Sequence, residues 1–536
     1  MSYDPLGRLW QVVGPLRTTR LTYDGDALIG EYDAADAMLR RYVHGTAEGA
    51  DDPLIWYDHP TAGWRRALLT DQQGSVIAVA DLIGRPVAIN AYDSWGIPNA
   101  TNQGRFGWQS GVRGTGAPEG CCRAMAGFRL ERLRWSDTLL GTITFPNGKV
   151  MRLRSGFGSG LSSGAGDPPG TVWAVSDRGP NVKVKDAVEK WGMEALAPHA
   201  GLASARLMPR PEIGPEIAEL RVAGDAVELV RTLPVATADG RPVSGLPLPA
   251  GPDLASEPAF GMDGAALPPD PRGFDAEGIA KLPGGGFWLS DEFGPSLVRL
   301  DGDGRIVTRL VPECVGLDAP YPVERRLPAI AARRQLNRGF EALALPPDGL
   351  SLFVAFQSPL ALPDTAAHEA GRHVRLWRLD TGSGRIAAQY LYPLDPPESF
   401  RRDMAAKGRF GRSDIKLSEL VALGSGALLV LERGTLTTKL YRIEPGEAAA
   451  LPAEHLDPAT RPTVEELSGG EAPFPLPVLA KTLVFTSDDA PELPQDMEGM
   501  ALLSERELLL VNDNDFGVEG AATSFWKLSF DEPLLA

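Results

Sequence analysis

One pattern of apolar and polar positions recurs along the second part of the chain: an acidic residue, a short apolar run, a turn and a second apolar run that ends on a polar residue. Residues 274–292 show it most clearly, with Gly284, Gly285 and Gly286 between two runs that are too short for helices. Such runs flanking a glycine-rich turn predict a β-hairpin. Four further copies cover residues 159–177, 339–357, 418–433 and 497–513.

Five hairpins of one pattern predict a β-propeller with one blade per hairpin. The acidic residues that open successive hairpins are roughly 64 to 79 residues apart, which is longer than an ordinary blade, so we expect the extra residues to form loops on the faces. We therefore predict an all-β fold, a propeller of five or six blades.

Other strand-like runs complete this prediction. Residues 216–222 and 226–233 are expected to be the outer strands of the first blade, residues 236–271 a long face loop, and residues 185–196 a short helix. The last repeat has three evident strands. Because propellers commonly close by borrowing a strand from the other end of the chain, we expect residues 128–135, which alternate like a strand, to complete it.

Residues 1–112 follow a different pattern, in which a Tyr-Asp dipeptide recurs between strand-like segments. The dipeptides begin at Tyr3, Tyr23, Tyr32, Tyr57 and Tyr92. With the segments 68–76, 92–96 and 102–108, this region resembles the end of an Rhs/YD-repeat core. That family builds a large β-cage, which so few strands cannot close. The open strand edges that remain would promote aggregation. We interpret residues 1–112 as a truncated Rhs-like segment, residues 113–125 as a linker and residues 126–536 as the propeller.

Composition and charge disfavour several classes of function. The net charge of −17 disfavours a duplex nucleic-acid partner, and no apolar run is long enough to span a bilayer. The first residues lack the basic start and apolar stretch of a signal peptide. Cys121, Cys122 and Cys314 lack zinc-site spacing and are expected to be unpaired thiols. Oligomeric state and localisation stay open.

The repeated acidic residues are the candidate chemistry. A propeller brings equivalent positions of its blades to one axis, so the residues that open the hairpins can converge there, as can those that close them. The opening set is Glu277, Glu341, Glu419 and Glu498, and the closing set is Asp177, Glu292, Glu432 and Asp513. Clustered carboxylates repel one another unless a proton or cation neutralises them, and a hard divalent cation, calcium above all, suits oxygen ligands. The alternative is that these residues cap strands or pair with arginines.

Three arginines adjoin the acidic positions: Arg178, Arg338 and Arg433. The planar guanidinium fits a phosphate or a carboxylate with two parallel hydrogen bonds, so these are candidate catalytic residues. Salt bridges between neighbouring blades are the alternative. Three other motifs are interpreted structurally: Ser162 lies in a hairpin and not in a nucleophile elbow, His368 and His373 are spaced too widely for a zinc helix, and residues 301–304 form a turn.

The propeller region resembles the bacterial family described as "esterase-like activity of phytase". Its landmarks are residues 173–179, 275–279, 337–341, 431–433 and 512–516. The resemblance implies a hydrolase of phosphate or carboxylate esters, related in architecture to calcium-dependent propeller phytases and usually exported. We therefore expect metal-dependent hydrolysis of a small phosphate ester. A carboxylesterase or lactonase using the same metal site and a non-enzymatic binding propeller are the alternatives.

Overall fold

The computed structural model describes residues 2–3, 9–13, 18–24, 27–44, 53–58, 65–70, 76–80, 86–89, 128–406, 410–424, 426–470 and 474–534. The Rhs-like landmarks at 71–75, 92–96 and 102–108, the linker at 113–125, and Cys121 and Cys122 lie outside these residues. The chain divides into two compact units, Met1–Met125 and Ala126–Ala536.

The described residues of the first unit form nine strands that pair in sequence order, each antiparallel to the next. They are β1 (Ser2–Tyr3), β2 (Leu9–Val13), β3 (Thr18–Asp24), β4 (Ala27–Tyr32), β5 (Met38–His44), β6 (Pro53–Asp58), β7 (Arg65–Thr70), β8 (Val76–Ala80) and β9 (Pro86–Ile89). Leu28, Tyr42 and Trp56 are among the residues of its small apolar core. The resemblance of this unit to an Rhs core stays a prediction.

Where the structure describes it, the second unit is built from short strands and four short α-helices. The strands are β10 (Phe128–Leu133), β11 (Leu139–Thr144), β12 (Val150–Arg154), β13 (Gly160–Ser162), β14 (Thr171–Val175), β15 (Val182–Lys183), β16 (Arg206–Leu207), β17 (Glu216–Ala223), β18 (Ala226–Pro234), β19 (Ala259–Phe260), β20 (Ala266–Leu267), β21 (Ala276–Lys281), β22 (Phe287–Asp291), β23 (Ser296–Leu300), β24 (Ile306–Pro312), β25 (Val323–Leu327), β26 (Phe340–Ala344), β27 (Ser351–Phe356), β28 (His373–Asp380), β29 (Arg385–Pro393), β30 (Lys416–Ala422), β31 (Leu428–Arg433), β32 (Thr438–Ile443), β33 (Lys481–Thr486), β34 (Met497–Ser504), β35 (Glu507–Asn512) and β36 (Phe525–Phe530). The helices are α1 (Val184–Trp191), α2 (Thr365–Ala370), α3 (Arg401–Ala406) and α4 (Val464–Gly469).

Five sheets of this unit are the blades of a β-propeller. In order they contain β13-β14-β17-β18, β21-β22-β23-β24-β25, β26-β27-β28-β29, β30-β31-β32-β33 and β34-β35-β36-β10. Their first strands contact one another in a closed ring, from β13 through β21, β26, β30 and β34 back to β13. The propeller prediction is therefore confirmed, with five blades among the residues that the structure describes.

The chain ends close the ring as predicted. β10 pairs antiparallel with β36 and aligns Phe128 with Phe530 and Leu133 with Phe525. The outer strands of the first blade are also confirmed as β17 and β18. Apolar side chains on both faces of the inner strands fill the space between blades, which is why the strands read as nearly continuous apolar runs.

A small cap accompanies the first blade. Residues between β14 and β17 form β15, α1, a 3-10 helix at Glu194–His199 and β16. The stretch 236–271, predicted to be loop alone, contributes β19 and β20 to the same four-stranded sheet. This sheet arises because β19 runs parallel to β16 and aligns Phe260 with Leu207, so both aromatic and aliphatic side chains enter one local core. The prediction of a structureless loop was wrong for these strands.

Candidate functional site

A polar cavity of 630 Å³ lies where the five blades meet, at the end at which the first strand of a blade begins and its second strand ends. Every blade and the cap contribute side chains to it. Its charged lining residues are Asp177, Arg178, Lys183, Asp186, Arg206, Asp275, Glu277, Glu292, Arg338, Glu341, Lys416, Glu498, Asp513, Asp515 and Glu519.

Close packing of the inner strands positions the acidic residues. A side chain added at Gly278 would lie 2.5 Å from the carbonyl oxygen of Glu341, and one at Gly160 would lie 2.4 Å from that of Glu277. Only glycine allows this approach of neighbouring backbones. The glycines therefore let β13, β21 and β26 converge, which brings Glu277 and Glu341 into one cavity.

A β-bulge in four of the inner strands explains which opening residues reach the cavity. Bulges place one extra residue opposite the partner strand and redirect its side chain. The extra residue is Glu277 in β21, Glu341 in β26 and Glu498 in β34, and all three line the cavity. In β30 it is Ser418, so Glu419 occupies the next position.

Glu419 therefore does not join the other opening residues. Its carboxylate is buried and accepts hydrogen bonds from the backbone N–H groups of Leu161, at 2.9 Å, and Leu420, at 3.0 Å. The expected convergence of Glu419 at the cavity was wrong by one residue. The apolar pattern of the strand hid the bulge.

The closing residues show the same displacement in the fourth blade. In each of these blades, the residue just before the bulge pairs with a residue near the end of the second strand. The residue that follows this partner is Glu292, Gln357, Arg433 or Asp513, whereas Glu432 is the partner itself. Glu432 points away and accepts hydrogen bonds from Lys481 Nζ and Tyr392 Oη, both at 2.6 Å. The expected convergence of Glu432 was therefore also wrong, whereas Asp177, Glu292 and Asp513 line the cavity.

The densest acidic group is formed by Asp275, Glu277 and Glu292. One carboxylate oxygen from each lies within 4.8 Å of the other two, and the group could hold a metal ion. Two neighbouring oxygens are buried without a hydrogen-bond partner: Oε2 of Glu341 and Oε1 of Gln357. Gln357 donates its Nε2 to Glu292 at 2.9 Å, which leaves that oxygen free. Glu341 and Gln357 line the same cavity as the three clustered acids. Sequence reasoning did not select Asp275, although it lies only two residues before Glu277.

Burial and mutual repulsion shift the titration of these carboxyl groups. Burial raises the pKa of Glu277 well above its usual value, and the charges of Glu341 and Glu292 raise it further. Burial likewise raises the pKa of Asp275 to about 6, although Arg178 opposes the shift. These raised pKa values mean that the buried carboxylates repel one another when all are ionised, which is the condition that a bound cation relieves.

A second acidic group, formed by Asp177, Asp513 and Asp515, lines the cavity near the end of β35. Burial raises the pKa of Asp513 to about 8, with the charge of Asp515 as the next cause. Burial and the charge of Asp513 raise the pKa of Asp177. Asp515 has a φ of 46°, and Phe516 one of 52°, so the loop holds two consecutive residues in the left-handed region. Such backbone conformations are uncommon for residues other than glycine.

The three predicted catalytic arginines differ in their partners. Arg178 donates to Glu257 at 2.6 Å and lies 3.4 Å from Asp275. Arg433 forms ion pairs with Glu498 and, at 3.1 Å, with Asp496. Arg338 lines the cavity, and its Nη1 is buried without a hydrogen-bond partner. Of the three, Arg338 alone combines a place in the cavity with a donor left over for a ligand.

Lys416 is a cavity residue that sequence reasoning missed. It opens β30, and nothing in the local composition distinguishes it from an ordinary surface lysine. Burial lowers its pKa to about 8, and the nearby charges of Arg433 and Arg338 act in the same direction.

The motifs interpreted structurally have structural surroundings. Ser162 lies in β13, where its Oγ accepts a hydrogen bond from the backbone of Lys281 at 3.0 Å. His368 and His373 lie in α2 and β28, and contact Pro359 and Ser468 respectively. In the 301–304 turn, the Asp301 carboxylate accepts backbone hydrogen bonds within its own turn.

The profile of the phytase-like family, described as "Esterase-like activity of phytase", matches residues 156–516. An uncharacterized secreted protein of Arthroderma benhamiae is 28% identical over 268 residues, which cover 41% of this chain and 48% of the relative, so the match spans about half of the relative's length.

Solved structures of low sequence identity are similar over larger shares of the chain. An inactive variant of virginiamycin B lyase from Staphylococcus aureus is 11% identical, with a TM-score of 0.28 over 75% of this chain and 100% of that one. The Cps50 (Swd1) β-propeller domain of Myceliophteria thermophila is 12% identical, with a TM-score of 0.28 over 73% and 99%. None of the described helices has the length and apolarity that crossing a bilayer requires.

Proposed function

The chain belongs to the phytase-like family described as having the esterase-like activity of phytase, and we propose that it is a cation-dependent hydrolase of phosphate esters. One observation carries the proposal: the carboxylates of Asp275, Glu277 and Glu292 converge in a polar cavity beside an unpartnered oxygen of Glu341. Buried carboxylates without enough donors are expected where a cation binds.

The donor set fits a hard divalent cation. All of its atoms are carboxylate or amide oxygens, and among the described residues the buried Oε2 of Glu341 and Oε1 of Gln357 have no hydrogen-bond partner. Calcium accepts six to eight such oxygens in flexible geometry, whereas magnesium demands a near-ideal octahedron. Asp275, Glu277, Glu292 and Glu341 would hold the ion. Once bound, it would neutralise these carboxylates and polarise the phosphoryl oxygen of an ester.

The remaining cavity residues supply binding and proton transfer. Arg338 has a free donor and would hold a phosphoryl oxygen by a charge-assisted hydrogen bond. Because its pKa is raised to about 8, Asp513 retains a proton at neutral pH and can donate it to the leaving oxygen. Asp177 and Glu498 complete the acidic wall and stay candidate ligands. Arg178 and Arg433 orient acidic neighbours through their ion pairs.

A substrate panel with and without a chelator tests the proposal. Phosphomonoesters should be hydrolysed with calcium present, and EGTA should abolish turnover. Glu277→Gln should lower turnover by about 100-fold or more, since even outer-shell partners of a metal contribute on that scale. Glu228→Gln, an exposed change on β18, is the matched control. Turnover that is unaffected by EGTA would overturn cation dependence.

The same panel separates the alternatives. Lactones and aryl acetates hydrolysed in place of phosphomonoesters would identify a carboxylesterase or lactonase at the same site. Absence of turnover on every class, together with intact calcium binding, would favour a binding propeller.

A further inference from the structure

The charge of the cavity is reversed in one blade. Positions equivalent by strand register supply Asp275, Glu277 and Glu292 in the second blade and Lys416, Ser418 and Arg433 in the fourth. The bulge fixes this equivalence. In both blades the bulge residue lies two residues after the first position, and the partner of the residue before the bulge directly precedes the third position. The positions that form the acidic group in one blade are therefore basic or neutral in another.

Three of the cationic side chains around the cavity are already engaged. Arg178 and Arg206 face the buried carboxylate of Glu257, at 2.6 Å and 3.8 Å, and Arg433 is paired with Glu498. Within the described part of the chain, the side chains of Lys416 and Arg338 form no hydrogen bond or ion pair, and neither does that of the exposed Lys183. The Nη1 of Arg338 is buried, and Lys416 faces the same cavity.

Unpaired cations inside a protein are costly. A buried charge without a partner loses its hydration, and this penalty is normally offset by a counter-charge with good geometry. The charges of Glu341 and Glu292 act on Lys416, but among the described residues neither carboxylate forms an ion pair with it. Lys416 and Arg338 therefore retain their donors for a group from outside the chain.

We propose that Lys416 and Arg338 form an oxyanion subsite, which binds the phosphoryl group of the substrate and the inorganic phosphate that leaves. The guanidinium offers a planar pair of donors and the ammonium a rotating point charge, a combination that fits a tetrahedral dianion. The subsite deepens the proposed function, on which its role in substrate choice rests, but binding of free phosphate requires no turnover.

The subsite has a consequence for substrate choice. An ester of phosphoric acid brings negative charge to both cations, whereas a neutral carboxyl ester or lactone leaves them desolvated and unpaired. Loss of one cation should therefore weaken phosphate-ester binding and leave the binding of neutral esters unchanged. This pattern differs from damage to the cation-binding acids, which would affect every ester class.

Calorimetric titration of inorganic phosphate into the full chain, with EGTA present, tests the subsite. Wild type should bind, and Lys416→Gln and Arg338→Gln should each raise the Kd at least tenfold. Lys183→Gln, at an exposed position of the same cavity, is the matched control and should change the Kd little. Lys416→Arg, which keeps the charge, should retain binding. Absence of binding by wild type, or an equal loss in Lys183→Gln, would overturn the proposal.

A measurement on wild type tests the subsite even if the variants fail to fold. Phosphate should slow acetylation of Lys416 relative to Lys183, as followed by mass spectrometry, and equal rates with and without phosphate would contradict the subsite. Sulfate in place of phosphate shows whether any tetrahedral dianion is accepted. If phosphate binds as predicted but no ester is hydrolysed, the proposed function fails and the subsite stands.

Discussion

Calcium should stabilise the propeller more at pH 8 than at pH 5. The folded pKa of Asp275 is about 6, against about 3.9 for an unfolded aspartate. A carboxyl group whose pKa is raised by folding stabilises the protein while it is protonated, and that stability is lost as the pH rises through the folded pKa. When a chelator removes calcium, ionised Asp275 repels the neighbouring carboxylates. A bound cation removes this repulsion, so its benefit grows as the protons leave.

The magnitude follows from the same shift. At pH 5 Asp275 lies one unit below its folded pKa, so about 1.4 kcal/mol of its protonation-linked stability remains to be lost by pH 8. For the unit Ala126–Ala536, an unfolding entropy of about 2.1 cal/mol/K per residue converts this into about 1.5 °C in Tm. The raised pKa values of Glu277, Glu292 and Asp513 act in the same direction, so the value is a lower bound.

Differential scanning calorimetry at both pH values, with calcium and with EGTA, measures the difference. His373 acts in the opposite sense, because burial lowers its pKa to about 4 and its protonation destabilises the fold at low pH. Its contribution is the same with and without calcium and cancels in the comparison. Asp275→Asn should remove about 1.4 kcal/mol of the pH dependence, and Glu228→Gln should leave it intact. An equal calcium-induced rise in Tm at pH 5 and pH 8 would refute the reasoning.

Two further predictions concern structure away from the cavity. Arg375 is 1% exposed and pairs with Glu465 through two hydrogen bonds. Glu465→Gln should therefore lower the free energy of unfolding in urea by about 3 kcal/mol and leave calcium affinity unchanged. A loss of calcium affinity would show that the two regions are coupled. A chain of residues 126–536 should melt cooperatively and keep the turnover of the full chain, whereas one that also lacks 128–133 should be less stable because β36 loses its partner β10; a molten 126–536 chain would place the boundary elsewhere.

The repeated hairpin was enough to predict the propeller, its first-blade strands and its closing strand. These features depend on the alternation of apolar residues, which strand burial imposes directly on the sequence. The cap was harder to predict, because β15, β16, β19 and β20 have two residues each and carry no periodicity. Their pairing depends on contacts between distant segments.

The sequence pattern predicted the cavity residues of those blades in which the repeated glutamate is the bulge residue. Glu277, Glu341 and Glu498 share a bulge position, and their acidic character marks it. In the fourth blade the bulge residue is Ser418, so the predicted residues Glu419 and Glu432 are each one position away from those equivalent to the cavity residues of other blades. A bulge adds one residue without changing the apolar pattern around it, so the sequence gives no local sign of the shift. Lys416 was not predicted because its local composition is that of an ordinary surface lysine.

We propose above that Asp275, Glu277, Glu292 and Glu341 share one cation. Calorimetric titration of calcium into wild type and Glu341→Gln tests it most directly, because the buried Oε2 of Glu341 has no partner of its own. The substitution keeps the shape of the side chain and removes one charge. We predict one calcium-binding event in wild type that is weakened at least tenfold in Glu341→Gln, which is about 1.4 kcal/mol. Equal affinity and stoichiometry in both proteins would contradict the proposed site.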